Sequence, residues 1–123
     1  LDLEDAVAPE AKDEARAAIK AALAAGGYGP RELVVRMNGL DTEWGHADLE
    51  MAVKSGAHAV LAPKVQSARD IERLDAALKK AGAGEDFSLW VMIEMPLAIL
   101  NIHEIAAAAI GSHLTTFVMG TND

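Results

Sequence analysis

Residues 88–96 read Ser88-Leu89-Trp90-Val91-Met92-Ile93-Glu94-Met95-Pro96. An apolar run of strand length ends in a carboxylate, and a proline suited to the first turn of a helix follows at once. The same punctuation recurs on both sides. Upstream, Val60-Leu61-Ala62 ends in Pro63-Lys64, Leu33-Val34-Val35 ends in Arg36-Met37-Asn38, and Leu1-Asp2-Leu3 ends in Glu4-Asp5. Downstream, Phe117-Val118-Met119 ends in Gly120-Thr121-Asn122-Asp123. One charged residue at the end of a buried strand carries little information. Polar groups at five successive ends point to one shared site at the carboxyl edge of a parallel sheet.

Helical patterns fill the gaps. Pro9 opens the first, with Glu10, Asp13 and Glu14 at its positive end; Ala11, Ala15, Ala18, Ile19, Ala22 and Leu23 form its apolar face, and Gly26-Gly27 closes it. A second, capped by Asp41 or Thr42, turns Leu49, Ala52 and Val53 inward and stops at Gly56. Ser67 with Asp70 three residues on has the form of a capping box for a third, lined by Ile71, Leu74 and Leu78 and ended by Gly82 and Gly84. Pro96 opens a fourth, with Ile99, Ile102, Ile105 and Ala106 inward. Strands are expected at about 33–37, 58–62, 88–94 and 115–119, besides the opening one. The unit recurs every 25–30 residues or so, and near-continuous apolar strands imply a parallel sheet buried on both faces. About five strands and four helices make either an incomplete barrel, since closure takes eight units and about 250 residues, or a small open doubly wound sheet. No glycine-rich phosphate loop follows any strand, which disfavours the nucleotide-binding open sheet.

Composition narrows the function. With 123 residues and 51% hydrophobic content the chain supports one domain with a real core, while 4% aromatic content makes that core aliphatic. A net charge of −8 argues against a nucleic-acid backbone or an anionic membrane as partner. There is no cysteine, so disulfides and thiolate metal sites are excluded. No apolar run reaches the roughly 18 residues of a membrane span, and no signal peptide is apparent. The chain opens on an apolar strand without an initiator Met, and we read it as a single partial domain over residues 1–123 of a longer chain.

Among the residues that could carry chemistry, Glu94 stands first: a carboxylate closing a buried strand is costly unless paired or metal-bound. A helix cap or a salt bridge is the plainer reading. Asp123, just past a glycine that permits close approach, would add a second hard oxygen ligand, the donor set Mg²⁺ accepts alongside water and substrate oxygens; capping a following helix is the alternative. Arg36 can grip a carboxylate with its planar fork, or pair with Glu4 or Asp5. Asn38 either orients a neighbour or serves the turn with Gly39. Adjacent Glu4 and Asp5 point in different directions, so one can reach the site while the other binds elsewhere. Lys64 can hold an anionic group. His46, His58, His103 and His113 form no metal-binding spacing and read as structural or surface residues. Ser67 reads as a cap, and the methionines as core filler.

Taken in order, these motifs resemble one family. Leu1-Asp2-Leu3-Glu4-Asp5-Ala6-Val7 with Pro9 and Lys12 through Arg16 resembles the opening motif of citrate lyase β-subunit-like proteins. Val35-Arg36-Met37-Asn38-Gly39 with Trp44 and Asp48, Pro63-Lys64-Val65, Ile93-Glu94-Met95-Pro96 with Ala98 through Asn101 and Glu104-Ile105, and Gly120 through Asp123 resemble the motifs that follow. The resemblance, to the citrate lyase β-subunit and malyl-CoA lyase branch of the HpcH/HpaI aldolase–citrate lyase superfamily, covers nearly the whole chain. It implies a (β/α)8 TIM barrel of which this chain covers a part. It also implies Mg²⁺ (or Mn²⁺)-dependent cleavage or formation of a carbon–carbon bond next to a CoA or acyl-carrier thioester of the citryl, malyl or methylmalyl type.

Carried over by motif, Glu94 and Asp123 are the metal ligands. Arg36 binds the keto-acid carboxylate and the developing enolate, and Glu4 and Asp5 order the metal's waters and the substrate. Asn38, Lys64, Gly120, Thr121 and Asn122 complete the substrate site. Relatives are trimers or hexamers, so a cytoplasmic homo-oligomer is expected. The first barrel strand of the family and everything after Asp123 lie outside this sequence, and Met95 stands where many relatives have Thr. Two alternatives accompany the lyase reading: a malyl thioesterase on the same site, and a non-catalytic half-barrel.

Overall fold

The computed structural model describes residues 1–121. Four parallel strands, β1 (Val34–Arg36), β2 (Ala59–Ala62), β3 (Ser88–Ile93) and β4 (Leu114–Met119), lie side by side in chain order. Each strand pairs with the next in sequence, and the order never reverses. That succession is the wall of a βα barrel; a doubly wound sheet turns back at a switch point. The connections are α1 (Lys12–Ala25), entered through a 3-10 turn at Pro9–Ala11, then α2 (Gly45–Lys54), α3 (Ala68–Ala81), and the pair α4 (Pro96–Leu100) and α5 (Ile102–Ala107).

The register explains where the core sits. Val35, Val60, Leu89 and Leu114 fall in one row across the sheet, all buried. Ile19 and Leu23 of α1, Leu49 and Ala52 of α2, Ile71, Leu74 and Leu78 of α3 and Ile105 of α5 join the same cluster. The next row, Arg36, Leu61, Trp90 and Thr116, is only half-buried. The expectation of burial on both faces holds for β2 and β3, where the successive residues Ala59 and Val60, and Val91, Met92 and Ile93, are all buried. It needs correction at β1, whose second face is half-buried and carries Arg36, and at β4. Strand β4 departs furthest, alternating in burial along its length with Phe117 and Met119 exposed.

Three further expectations change. Leu1-Asp2-Leu3 is no full strand but a single parallel bridge, Asp2 to Arg36. It is held by Leu3 N–H on the Arg36 carbonyl at 2.9 Å and Arg36 N–H on the Leu1 carbonyl at 2.8 Å. The described sheet thus has four strands rather than five. Helix α2 starts after Trp44, with no side-chain cap; Thr42 instead closes a turn by donating its hydroxyl to the Gly39 carbonyl at 2.7 Å. The fourth helix breaks at Asn101, whose side-chain amide donates to the Gln66 carbonyl at 2.9 Å. That break rotates the apolar pattern, so Ala98 and Ile105 are buried while Ile99, Ile102 and Ala106 are exposed. The capping box of α3 is present, with Ser67 and Asp70 exchanging side-chain-to-backbone hydrogen bonds. Among the described residues no helix is long and apolar enough to cross a membrane.

Candidate active site

The strand ends converge as the sequence suggested. Arg36, last in β1, lies across from Asp2, and both stand on the face away from the buried Val35 and Leu3. Its Nε donates to Asp2 Oδ1 at 2.8 Å and its Nη2 to Asp2 Oδ2 at 2.6 Å. Two parallel charge-assisted bonds fix the plane of the guanidinium. The Arg36 hydrogen bond, against burial that pushes the other way and with help from the Glu4 and Ala6 amides, holds the Asp2 carboxyl down at about 2. The same contact keeps Arg36 protonated far beyond any working pH.

The remaining nitrogen, Nη1, stands 3.2 Å from Glu4 Oε1 and 3.9 Å from Asp5 Oδ2. Glu4 is buried, and its Oε1 accepts no hydrogen bond of good geometry although the guanidinium lies beside it. Its Oε2 faces Lys64 Nζ at 3.3 Å. A buried carboxylate between two cations is thus held by charge rather than by aligned bonds. Lys64 follows Pro63 at the end of β2 and, with φ of 54°, is the one non-glycine residue in a positive-φ conformation among the described residues. Its main-chain N–H donates to Glu94 Oε1 at 2.8 Å, and the Glu4 carboxylate raises the pKa of its ammonium.

Glu94 closes β3 and is half-buried. Against it lies Gly120 at the end of β4, where a Cβ would come within 2.8 Å of Glu94 Cβ and 3.1 Å of Glu94 Oε2. Only glycine allows this approach, so the contact ties the β3 and β4 ends together. Thr121 is exposed beyond it. Asn122 and Asp123, the other residues expected here, lie outside the described residues. Glu94 with its glycine cradle suits a hard cation that takes one or two carboxylates and completes its shell with water and substrate oxygens. Among the described residues no group of three or more His, Asp or Glu side chains is gathered for a metal.

Beneath these groups runs a polar scaffold built on Asn38, a residue expected at the site, which holds its neighbour Asp48, and on Asp48, Arg16 and Lys12, which the sequence motifs include without a role. Buried Asp48 accepts Arg16 Nε on one oxygen at 2.8 Å, and on the other the Asn38 N–H at 3.0 Å and side-chain amide at 2.7 Å. The Asn38 amide also donates to the Leu3 carbonyl at 3.0 Å. Buried Lys12 donates to the carbonyls of Leu3 at 2.8 Å and Glu4 at 2.6 Å, with its ammonium 5.5 Å from the Trp44 ring centre. The segment bearing Glu4 thus hangs from side chains of α1, α2 and the β1 end. At Gly45, which opens α2, a Cβ would collide with the Gly39 carbonyl at 2.1 Å, so this turn too requires glycine.

A cleft of about 750 Å³ opens over this edge, lined by Glu4, Asp5, Lys12, Asn38, Trp44 and Lys64 among others. Arg36 and Glu94 do not line it themselves; each stands behind a lining residue, Arg36 behind Glu4 at 3.2 Å and Glu94 behind the Lys64 N–H at 2.8 Å. None of the four histidines lines it. His58 accepts the Leu33 N–H at 2.8 Å, His113 contacts Asp75 at 2.7 Å, and His46 and His103 are exposed.

A parallel βα wall whose carboxyl edge gathers an arginine, a lysine and several carboxylates beside a roomy cleft is a segment of an α/β barrel, with its polar groups at the edge where such barrels carry their sites. The chain belongs to the HpcH/HpaI aldolase/citrate lyase family, whose model matches residues 1–123. It is 48% identical over 123 residues to (3S)-malyl-CoA thioesterase of Cereibacter sphaeroides, covering all of this chain and 40% of the relative. It is 41% identical over 128 aligned residues to citrate lyase subunit beta of Escherichia coli, covering 42% of that protein. Protein CitE from Mycobacterium tuberculosis, solved in complex with magnesium, acetoacetate and coenzyme A, superposes with a TM-score of 0.73 at 28% identity, over 98% of this chain and 39% of that one. The chain spans about 40% of the length of the curated relatives it matches.

Proposed function

We propose that the full-length protein, of which these 123 residues form part of the barrel, is a Mg²⁺-dependent lyase of β-hydroxyacyl-CoA thioesters. It would cleave or form the bond between the thioester α-carbon and the hydroxyl-bearing carbon. One observation carries this reading: an unbroken chain of contacts joins three strand ends and the Glu4 segment. Arg36 reaches Glu4 at 3.2 Å, Glu4 reaches Lys64 at 3.3 Å, and Lys64 reaches Glu94 at 2.8 Å.

The residues take complementary roles. Glu94 and Asp123 would hold Mg²⁺, which supplies Lewis-acid polarisation of the α-keto acid's oxygens. Arg36 has two of its nitrogens committed to Asp2, so its orientation is set before substrate arrives. Its Nη1 edge, which faces Glu4 and Asp5, would bind the keto-acid carboxylate and the oxyanion that develops on the thioester as those two carboxylates make room. Glu4 and Asp5 orient substrate and water at that edge, with Asn38, Lys64, Gly120, Thr121 and Asn122 completing the substrate site. The magnesium and coenzyme A in the M. tuberculosis structure support the cofactor and substrate class. A cytoplasmic homo-oligomer is part of the same proposal; exposed Ile110, Phe117 and Met119 supply apolar surface for further packing.

A thioesterase acting on malyl thioesters is the second reading, favoured by the 48% identity to a protein of that name. Incubating the full-length protein with malyl-CoA and Mg²⁺ separates the two. A lyase yields acetyl-CoA and glyoxylate, whereas a thioesterase releases free CoA thiol and malate. A chelator should abolish either activity. Neither product, over a range of malyl, citramalyl and citryl thioesters, would overturn both readings.

A further inference from the structure

Lys64 shows an unusual combination: a left-handed backbone in a residue with a long side chain, at the junction of two carboxylates. Residues other than Gly, Asn and Asp seldom adopt this conformation, because Cβ crowds the neighbouring carbonyl. Strain of this kind persists where the surroundings impose it, and it clusters at functional sites. Here the surroundings are identifiable. Proline precedes Lys64, and Val65 after it is buried in the core. The positive φ of 54° accompanies an N–H aimed at Glu94 Oε1 at 2.8 Å. The same residue's Nζ lies 3.3 Å from Glu4 Oε2.

We propose that Lys64 is a positioning residue with two separable roles: its main-chain N–H, delivered by the left-handed turn, orients the Glu94 carboxylate, and its ammonium orients the Glu4 carboxylate. The inference rests on the proposed function in taking Glu94 as a metal ligand, and it adds that metal affinity and substrate handling depend on different atoms of Lys64. A donor on one carboxylate oxygen fixes the torsion of the whole group, which is how outer contacts tune a ligand. The N–H cannot be lost by any substitution except proline, whereas the ammonium is lost by almost all.

Lys64→Gly isolates the two roles, because glycine adopts the left-handed conformation freely and keeps the N–H. In the full-length protein, Mg²⁺ affinity by titration calorimetry should stay within about twofold of wild type, while KM for a malyl thioester rises about fivefold, the size expected for one partly exposed ion pair. Amide hydrogen exchange gives a reading free of metal and turnover. The residue-64 amide should be protected in wild type and in Lys64→Gly, and should lose at least about tenfold of that protection in Glu94→Ala. An unprotected amide in wild type, or a Lys64→Gly variant that loses Mg²⁺ affinity as severely as Glu94→Gln, would overturn the proposal. A wild-type protein that binds no Mg²⁺ but shows the exchange pattern would sink the metal reading while leaving the Lys64–Glu94 contact standing, so the two failures are distinct.

Discussion

Asp2 embraces the edge of the Arg36 guanidinium, with its two oxygens 2.8 and 2.6 Å from Nε and Nη2. The pair lies on the half-buried face of the sheet and spans the only bridge joining the opening segment to β1 among the described residues. Arg36 is therefore aimed by an aspartate it does not share with the cleft, and this separates its orientation from its reactivity.

Asp2→Asn should cut kcat/KM more than it destabilises the fold. Asparagine keeps the size but offers one acceptor and no charge, so the fork loses its bidentate clamp. A half-exposed ion pair contributes about 1 kcal/mol to stability. That contribution has a defined pH window. The folded pKa of about 2 lies below the ordinary 3.8, so the stabilisation is complete above pH 4 or so and disappears as the pH falls through about 2. Urea midpoints of wild type and Asp2→Asn should differ at pH 6 and converge near pH 2. A gap that persists at pH 2 would assign the effect to packing instead.

Gly120→Ala tests the contact between the ends of β3 and β4. The new methyl would sit 2.8 Å from Glu94 Cβ, which cannot move without the backbone of β3, and 2.9 Å from Met92 Cε, which can. Either the β4 end lifts or Glu94 turns. Overpacking of this kind costs about 1–3 kcal/mol. Mg²⁺ affinity should fall in the same variant, measured by calorimetry. Wild-type affinity together with wild-type stability would show that Gly120 shifts to admit the methyl without disturbing Glu94.

Much of this architecture was legible in the sequence, and the exceptions have physical causes. The apolar runs at 33–35, 60–62 and 89–93 form strands packed into the core, and Arg36, Lys64 and Glu94 stand at their ends as expected. Asp2 escaped notice as the partner of Arg36, although the alternation Leu1-Asp2-Leu3 places it on the face opposite the buried Leu3. That signal needs knowledge of which strand lies alongside. The short opening segment has too few ladder bonds to count as a strand by pattern alone. The break at Asn101 was hidden because the isoleucines at 99, 102 and 105 keep helical spacing across it, and only the tertiary bond to the Gln66 carbonyl shows why the helix ends there. Asp48 and Lys12 could have been found by asking why charges stand amid the apolar spacing of two helices.

Asp48→Asn should be among the most damaging single changes in the chain. Asp48 accepts from Arg16 on one oxygen and twice from Asn38 on the other. An amide in its place must turn an NH₂ toward one of these donors, leaving a buried charge or a buried amide unpaired. Breaking a buried pair this way costs about 3–5 kcal/mol. Chemical denaturation of the full-length protein should show the midpoint falling with an unchanged slope. A loss below about 1 kcal/mol would mean that water replaces the missing acceptor.

Lys12→Met removes the other support of the Glu4 segment while keeping the stem that packs near Trp44. The carbonyls of Leu3 and Glu4 each lose the ammonium and keep one donor, the Asn38 amide and the Val7 N–H, so the loss is of hydrogen bonds to a charged group, about 1.5–3 kcal/mol. Because the Leu3 carbonyl also accepts from Asn38, which Asp48 holds in place, Lys12 and Asp48 act on one shared atom. Their effects should therefore not add. The double variant Lys12→Met, Asp48→Asn is expected to lose less stability than the sum of the two single losses, by at least about 0.5 kcal/mol, since the second change finds the segment already released. Strict additivity in the cycle would mean that the two side chains brace the Glu4 segment independently, and that the polar scaffold is two supports rather than one.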